Sequence, residues 1–149
     1  MKTAIIIGAS TGIGRATALA LSGKYNSISI TSFKHKEELL SLRDELMAKG
    51  CICYCETGDA GDMEFMEKFI QNTIDHLGSD IDLLINNAGI SYVGLINDMT
   101  AQDFDRTMKS NVYSVFNSCR LVVPHMIQHH KGHIINISSV WGNVGASCE

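Results

Sequence analysis

Two hydrophobic periods alternate along the chain. Short runs of β-branched and other apolar residues, bounded by glycine or polar residues, predict strands. We predict five of them, near Thr3–Ile7, Ser27–Ser32, Cys51–Cys55, Ile81–Asn86 and His133–Ile137. The longer stretches between them carry apolar residues at helical spacing, which is typical of helices packed on a sheet. This alternation predicts parallel strands joined by right-handed crossover helices.

Residues that commonly begin or end helices predict the bounds of the first three helices. The first is predicted over Ile13–Ser22, and the second over Lys36–Lys49, where Gly50 can adopt a positive φ. Asp62 is the predicted N-cap of the third helix, which ends at Gly78.

The last helical stretch is the longest. Thr100 and Asp103 resemble a capping box, and apolar spacing continues from there to about Gln128. We expect Pro124 to kink this helix or shorten its final turn.

Composition narrows the class of protein. A chain of 149 residues, 45% hydrophobic and 19% charged, is typical of one soluble α/β domain. A net charge of −4 argues against a nucleic-acid-binding surface. The apolar run after Met1 is too short for a signal peptide, and no stretch is long enough to span a membrane. Five cysteines without an export signal fit the reducing cytoplasm.

A glycine-rich turn follows the first predicted strand. In AIIIGASTGIGRATALAL, Gly8, Gly12 and Gly14 lie between that strand and a helix. A helix N-terminus offers free N–H groups to an anion, and glycines let a pyrophosphate approach the backbone. The pattern therefore indicates a dinucleotide site; the alternative is a glycine-rich connector that binds no ligand.

The residues after the second strand bear on cofactor preference. NAD sites commonly place a carboxylate there, on the ribose 2′-hydroxyl. Here no acid occurs before Glu37, whereas Lys34 or Lys36 could meet a 2′-phosphate. NADP(H) is therefore favoured over NAD(H). An ordinary solvated helix start is the alternative interpretation of either lysine.

Four motifs occur in order along the whole chain: GASTGIG at 8–14, NNAG at 86–89, Asn111 in KSNVYSVF and Ser139 in HIINISSVWG. With them the chain resembles the short-chain dehydrogenase/reductase family. The resemblance implies a Rossmann-like, doubly wound parallel sheet with helices on both faces, and a single NAD(P)-binding domain over residues 1–149 that lacks the family's last strands. It also implies that the cofactor is bound by Gly8, Ser10, Thr11, Gly12, Ile13, Gly14, Lys34, Asp59, Ala60, Asn87, Ala88 and Gly89.

The resemblance assigns two catalytic residues. Asn111 matches the asparagine that holds a water of the proton relay, and Ser139 matches the serine that hydrogen-bonds the substrate carbonyl. Taken alone, Asn111 could be a helix-surface residue and the Ser138–Ser139 pair a turn or cap signal.

The chain departs from the family at one point. No Tyr-x-x-x-Lys follows Ser139, and none of the four tyrosines has a lysine four residues later. The family's tyrosine protonates the alkoxide left by hydride transfer. We therefore expect an N-terminal fragment of a longer NADPH-dependent carbonyl reductase, inactive by itself. The alternative is a non-catalytic dinucleotide-binding sensor or scaffold module.

Two branches of the family compete for the substrate assignment. The overall pattern looks like the 3-oxoacyl-[acyl-carrier-protein] reductases, whereas the tail SSVWGNVGASCE resembles the elongation factor P 5-aminopentanone reductases. The substrate is thus a small or carrier-bound carbonyl compound, and the family implies a homodimer or homotetramer. No metal site is expected, because Cys51, Cys53 and Cys55, and the histidines from His125 to His133, lack zinc-type patterns.

Overall fold

A five-stranded parallel sheet forms the centre of the computed structural model, which describes residues 2–148. Its strands are β1 (Thr3–Ile7), β2 (Ser27–Ser32), β3 (Ile52–Thr57), β4 (Ile81–Asn86) and β5 (His133–Asn136). They lie in the order β3-β2-β1-β4-β5, and every neighbouring pair is parallel. The chain builds outward from β1 in one direction and then crosses to build in the other. This is the order of a doubly wound sheet, with its switch point between β1 and β4.

Helices cover both faces of the sheet. They are α1 (Gly12–Leu21), α2 (Lys36–Ala48), α3 (Met63–Leu77), α4 (Ala101–Met108) and α5 (Ser114–Gln128). One core joins the sheet to Ala18 of α1 and to Leu39, Leu42 and Leu46 of α2. The other joins it to α3 and α5 through Phe69 and Val122. Alternate β1 residues serve the two cores, because successive side chains of a strand point to opposite faces. The predicted fold class is confirmed.

Three of the five strands have the predicted bounds, and two differ. The third begins at Ile52 rather than Cys51, because the N–H of Cys51 bonds to the carbonyl of Leu46 and still belongs to the end of α2. It continues to Thr57, which pairs with Ser32. The fifth ends at Asn136, one residue earlier than predicted.

The long helical stretch is interrupted by a π-helical segment, Lys109–Tyr113, between α4 and α5. The prediction of one continuous helix was therefore wrong at this point. Thr100 and Asp103 do form the predicted capping box at its start. Pro124 does not shorten its end, since α5 continues to Gln128. Buried Val122 and Met126, on either side of the proline, hold this turn against the sheet.

Other helix ends follow the predicted chemistry. Asp62 caps α3 by accepting the N–H of Glu64, and Gly50 and Gly78 have φ angles of 86° and 88°. Over residues 2–148, none of the helices combines the length and apolar character that crossing a bilayer requires.

Candidate functional site

The turn between β1 and α1 is shaped by steric limits at two glycines. Gly8 has a φ of 84°, and a Cβ there would lie 2.7 Å from the Cα of Ala88. A Cβ on Gly14 would overlap the carbonyl oxygen of Gly8 and approach the Asn87 amide. That amide donates to the Gly8 carbonyl at 2.7 Å, so the turn is locked against the end of β4.

Helix α1 presents its N-terminus at this turn. Thr11 is the N-cap residue, and its side chain makes no capping hydrogen bond. A Cβ on Gly12 would meet nothing within 4 Å, so the space beside the first turn is open. A helix start with free N–H groups and open space in front of it suits an anionic phosphate.

A cleft of about 640 Å³ runs across the carboxyl ends of the strands. Most of the predicted cofactor-binding residues line it: Gly8, Ser10, Thr11, Lys34, Asp59, Ala60, Asn87, Ala88 and Gly89. Gly12, Ile13 and Gly14 are not among its lining residues. Gly14 instead permits the close packing described above, and the Ile13 side chain is 61% exposed. The cleft also has basic lining residues that the sequence motifs did not indicate, Arg106 and Lys109.

The turn after β3 carries Asp59 into the cleft. Its Oδ1 accepts the N–H of Gly61 at 2.9 Å, and its Oδ2 lies 3.0 Å from the Nζ of Lys109. The hydrogen bond to Asp59 raises the pKa of Lys109. The neighbouring Ala60 carbonyl accepts from the buried Asn117 amide at 3.1 Å. No local pattern predicts these partners, which lie about 50 residues further along the chain.

Asn111 lies in the π-helical segment, and both the oxygen and the nitrogen of its side-chain amide make hydrogen bonds. Its Oδ1 accepts the N–H of Ile90, and its Nδ2 donates to the Ile90 carbonyl, both at 2.8 Å. The side chain therefore ties the π segment to the chain just after NNAG, which a free helix-surface asparagine would not do. π-Helical turns often occur at functional sites.

Ser139 lies beyond the carboxyl end of β5 and is exposed. Its Oγ accepts the N–H of Trp141 at 3.3 Å and so caps the short 3₁₀ turn Val140–Gly142. The alternative of a cap signal thus describes a real contact. The contact is compatible with the predicted role of Ser139, because an accepting hydroxyl keeps its proton free to donate.

A polar network that the motifs did not reveal joins the ends of β4 and β5. Buried Asn86 accepts from the Ser118 hydroxyl at 2.6 Å and donates to Asn136 Oδ1 at 2.8 Å. Its carbonyl also accepts the N–H of Ile137 at 2.8 Å. The network fixes the chain three residues before Ser139, because buried polar groups demand partners.

Among residues 2–148, there is no group of three or more histidine, cysteine or acidic side chains able to hold a metal ion. The single S–H of Cys51 has the carbonyl oxygens of Ser22 and Tyr25 as acceptors within reach. Burial raises the pKa of Cys53 to about 12. Such thiols pack as small apolar groups. The Nδ1 of His129 lies 3.9 Å from Oδ1 of Asp80.

Comparison with known proteins decides the family. The sequence model of a protein family described as short chain dehydrogenase matches residues 2–149. This chain belongs to the short-chain dehydrogenase/reductase family. It is 34% identical to 3-oxoacyl-[acyl-carrier-protein] reductase FabG from Staphylococcus aureus over 144 residues, which is 97% of this chain and 58% of that protein. Sepiapterin reductase from Chlorobaculum tepidum is 32% identical over 142 residues, 91% of this chain and 58% of that protein. The chain thus spans less than two thirds of the length of these relatives.

Solved structures of the short-chain dehydrogenase/reductase fold agree with this assignment. Xylitol dehydrogenase with bound NAD⁺ superposes with a TM-score of 0.91 at 28% identity, over 99% of this chain and 56% of that one. Actinorhodin polyketide ketoreductase with NADPH gives the same TM-score at 24% identity, over 99% and 56%. Both dinucleotides therefore occur on this fold.

Proposed function

We propose that this chain forms the nucleotide-binding side, and part of the catalytic group, of an NADPH-dependent carbonyl reductase. The observation that carries the proposal is the glycine turn that opens α1 at the mouth of the cleft. Gly8 and Gly14 leave no room for a side chain, whereas the space beside Gly12 is open. The residues present thus fit a dinucleotide whose phosphates face the helix start.

The preference for NADP(H) rests on the residues that follow β2. Lys34 and His35 line the cleft, and no residue from Thr31 to Lys36 is acidic. Lys36 does not line the cleft, so Lys34 is the candidate partner of a 2′-phosphate. A basic side chain there favours a phosphate over a hydroxyl.

Titration of the purified protein with NADPH and NADH tests this step. We expect tighter binding of NADPH, and about a tenfold loss of that affinity in Lys34→Ala with NADH affinity unchanged. Lys36→Ala removes a neighbouring lysine outside the cleft and serves as the control. Equal affinities of the wild type for the two dinucleotides would contradict the preference, and absence of binding to either would overturn the proposed function.

The proposed chemistry uses Ser139 and Asn111 at the carboxyl edge of the sheet. When bound, the reduced cofactor supplies a hydride to the carbonyl carbon of the substrate. Ser139 donates a hydrogen bond to the carbonyl oxygen and stabilises the negative charge that develops there. Asn111 holds the π segment on Ile90 and, by the family resemblance, a water of the proton relay.

A proton donor for the alkoxide is also required. Tyr54 lies on β3, one outer strand of the sheet, whereas Ser139 follows β5, the other outer strand. The Tyr54 hydroxyl donates to Oε2 of Glu56 at 2.6 Å. Burial raises its pKa to about 12, which makes it a poor general acid at neutral pH. With no Tyr-x-x-x-Lys in the sequence, the proposal includes a tyrosine and lysine supplied from outside these 149 residues.

The coding sequence downstream separates this proposal from a sensor or scaffold, and an activity assay tests the missing proton donor. The 149-residue chain should bind NADPH and leave it unoxidised in the presence of any carbonyl compound. The coding sequence after Glu149 should contain Tyr-x-x-x-Lys within about a dozen codons. Turnover by the chain alone would refute the missing-acid argument, and a stop codon after Glu149 would favour the sensor.

The proposed substrate is a β-keto thioester on a carrier protein. The support is the similarity to the S. aureus 3-oxoacyl-[acyl-carrier-protein] reductase. The competing substrate is an aminopentanone group on elongation factor P, suggested by Trp141, Ser147, Cys148 and Glu149; Glu149 lies outside the described residues. Reduction rates of the full-length reductase on acetoacetyl thioester and on modified elongation factor P distinguish them, since activity on the thioester alone removes the second.

The proposal also includes a cytoplasmic homodimer or homotetramer. All five cysteines are free thiols. The segment from α4 to α5 exposes Phe104, Val112 and Phe116, apolar side chains that a second copy would cover. The proposal concerns the full-length protein. Light scattering of the full-length reductase gives the oligomeric state, and a monomer would remove this part of the proposal.

A further inference from the structure

The turn after β3 and the π-helical segment touch at a point where only glycine fits. A Cβ on Gly61 would lie 2.4 Å from the backbone oxygen of Lys109 and 2.5 Å from its Cγ. The absence of a side chain at Gly61 therefore permits the contact. It brings a residue of the nucleotide cleft against the segment that carries Asn111.

The Asp59–Lys109 ion pair spans this contact. One carboxylate oxygen of Asp59 accepts the N–H of Gly61, and the other lies 3.0 Å from the Lys109 ammonium. The orientation of the carboxylate is thus set from two sides. Both residues line the cleft, and their side chains remain 31% and 46% exposed, so a ligand can reach them.

Lys109 is the first residue of the π-helical segment, and Asn111 is the third. Asn111 holds the segment to Ile90 through two hydrogen bonds. At the other end, the Asn117 amide of α5 donates to the Ala60 carbonyl. The turn after β3 is therefore attached to the helical stretch on both sides of Asn111, and a shift of the turn must move or strain the π segment.

We propose that Lys109 is a positioning residue that couples occupancy of the nucleotide cleft at Asp59 to the π-helical segment that presents Asn111. The inference rests on the proposed function, because it takes the ligand to be the dinucleotide. Lys109 holds the Asp59 carboxylate facing the cleft, where its remaining lone pairs accept a donor of the bound base. Coupling is reciprocal, so a ligand that engages Asp59 also favours the ordered π segment.

The ion pair is a suitable target for substitution. Exposed pairs contribute little to folding stability, so their removal leaves the fold intact. Lys109→Met removes the charge and keeps the length of the side chain, and Lys109→Arg keeps the charge. Lys68→Met is the matched control, because Lys68 forms an exposed pair with Glu64 at 2.7 Å on α3 and does not line the cleft.

Two measurements on the purified protein test the proposal: the dissociation constant of NADPH, and amide hydrogen exchange of residues 109–113 with and without it. We expect about a tenfold weaker affinity in Lys109→Met, together with loss of the NADPH-induced protection of this segment. Lys109→Arg should retain both within about twofold, as should Lys68→Met. Protection is the readout that a merely stabilising lysine would not change selectively.

The outcomes separate the two proposals. Wild-type protein that binds neither NADPH nor NADH overturns the proposed function and this inference with it. Wild-type protein that binds NADPH, with Lys109→Met unchanged in affinity and in protection, overturns the inference alone. The same holds if Lys109→Met loses affinity while NADPH still protects residues 109–113.

Discussion

The two halves of the candidate site are held by different means. The glycine turn after β1 lies against the end of β4, where steric contact and the Asn87 amide leave it no freedom. The segment after β5 is exposed, and its bonds are mostly local, such as that of Ser139 with Trp141. A backbone bond from Gly94 to the Cys148 carbonyl links it to the loop after β4, and Cys148 has a strained φ of 60°.

The sheet by itself therefore supports one half of the candidate site and leaves the other half with little support. The packed sheet is enough to hold the glycine turn in place, because strands buried on both faces fix the turn that follows them. The segment that carries Ser139 follows β5, which is less well packed. Ile134 and Ile135 of β5 remain 37% and 46% exposed.

Thiol reactivity compares the packed sheet with the tail directly. Burial raises the pKa of Cys53 to about 12, whereas Cys148 is exposed. At neutral pH the thiolate fraction of Cys53 is then lower by about a thousandfold than that of an ordinary thiol. We expect iodoacetamide to alkylate Cys148 first in the native protein, and Cys53 only after unfolding in urea. Cys148→Ser should abolish the fast phase, and equal rates at both sites would contradict the contrast.

Ser139→Ala separates chemistry from nucleotide binding. Loss of one donor to a developing oxyanion lowers kcat by about 10²- to 10³-fold. NADPH affinity should stay unchanged, because Ser139 does not line the cleft. Ser138→Ala, the same change one residue earlier, is the control and should retain activity. The measurement is steady-state NADPH oxidation by the active reductase; a similar loss in both variants would remove Ser139 from its proposed role.

Gly14→Ala tests the packed half. The added methyl group would overlap the Gly8 carbonyl oxygen, so we expect the free energy of unfolding to fall by about 3 kcal/mol, with weaker NADPH binding. Gly23→Ala, where a Cβ meets nothing within 4 Å, should change stability by less than about 1 kcal/mol. Urea unfolding of the two variants gives the comparison, and equal stability would show that the turn can relax.

The smallest effect concerns the exposed capping box of α4. Hydrogen bonds from the Thr100 side chain and backbone hold the pKa of Asp103 below its ordinary value. The charged form is thus favoured in the folded state. Its contribution to stability is present above the ordinary carboxyl pKa and is lost as pH falls through the lowered one.

Urea unfolding over a range of pH tests this. The stability difference between wild type and Asp103→Asn should be small at neutral pH and vanish in acid. Asp105→Asn removes the same charge from the same helix without a capping bond, and it should show a weaker dependence. A difference that grows as pH falls would have the wrong sign.

Much of the fold could be predicted because its causes are local in the sequence. Apolar periods located β1, β2 and β4 to the residue. Asp62 and the Thr100–Asp103 box begin helices as expected, and Gly50 follows the end of one. Two errors have different causes. The N–H of Cys51 makes a local bond to Leu46 at the end of α2 and so does not join β3. The helix around Asn111 adopts π geometry where the Asn111 amide binds Ile90, a contact between distant parts of the chain.

The sheet, its two packed faces and the glycine turn after β1 could be read from the sequence, because hydrophobic period and glycine sterics act over a few residues. Folding had to bring Lys109 to Asp59, and Asn86 to Ser118 and Asn136, and it also made Gly14 a packing contact rather than a lining residue of the cleft. Those pairs lie far apart along the chain. Such contacts exist only once the parallel strands have brought their carboxyl ends to one edge.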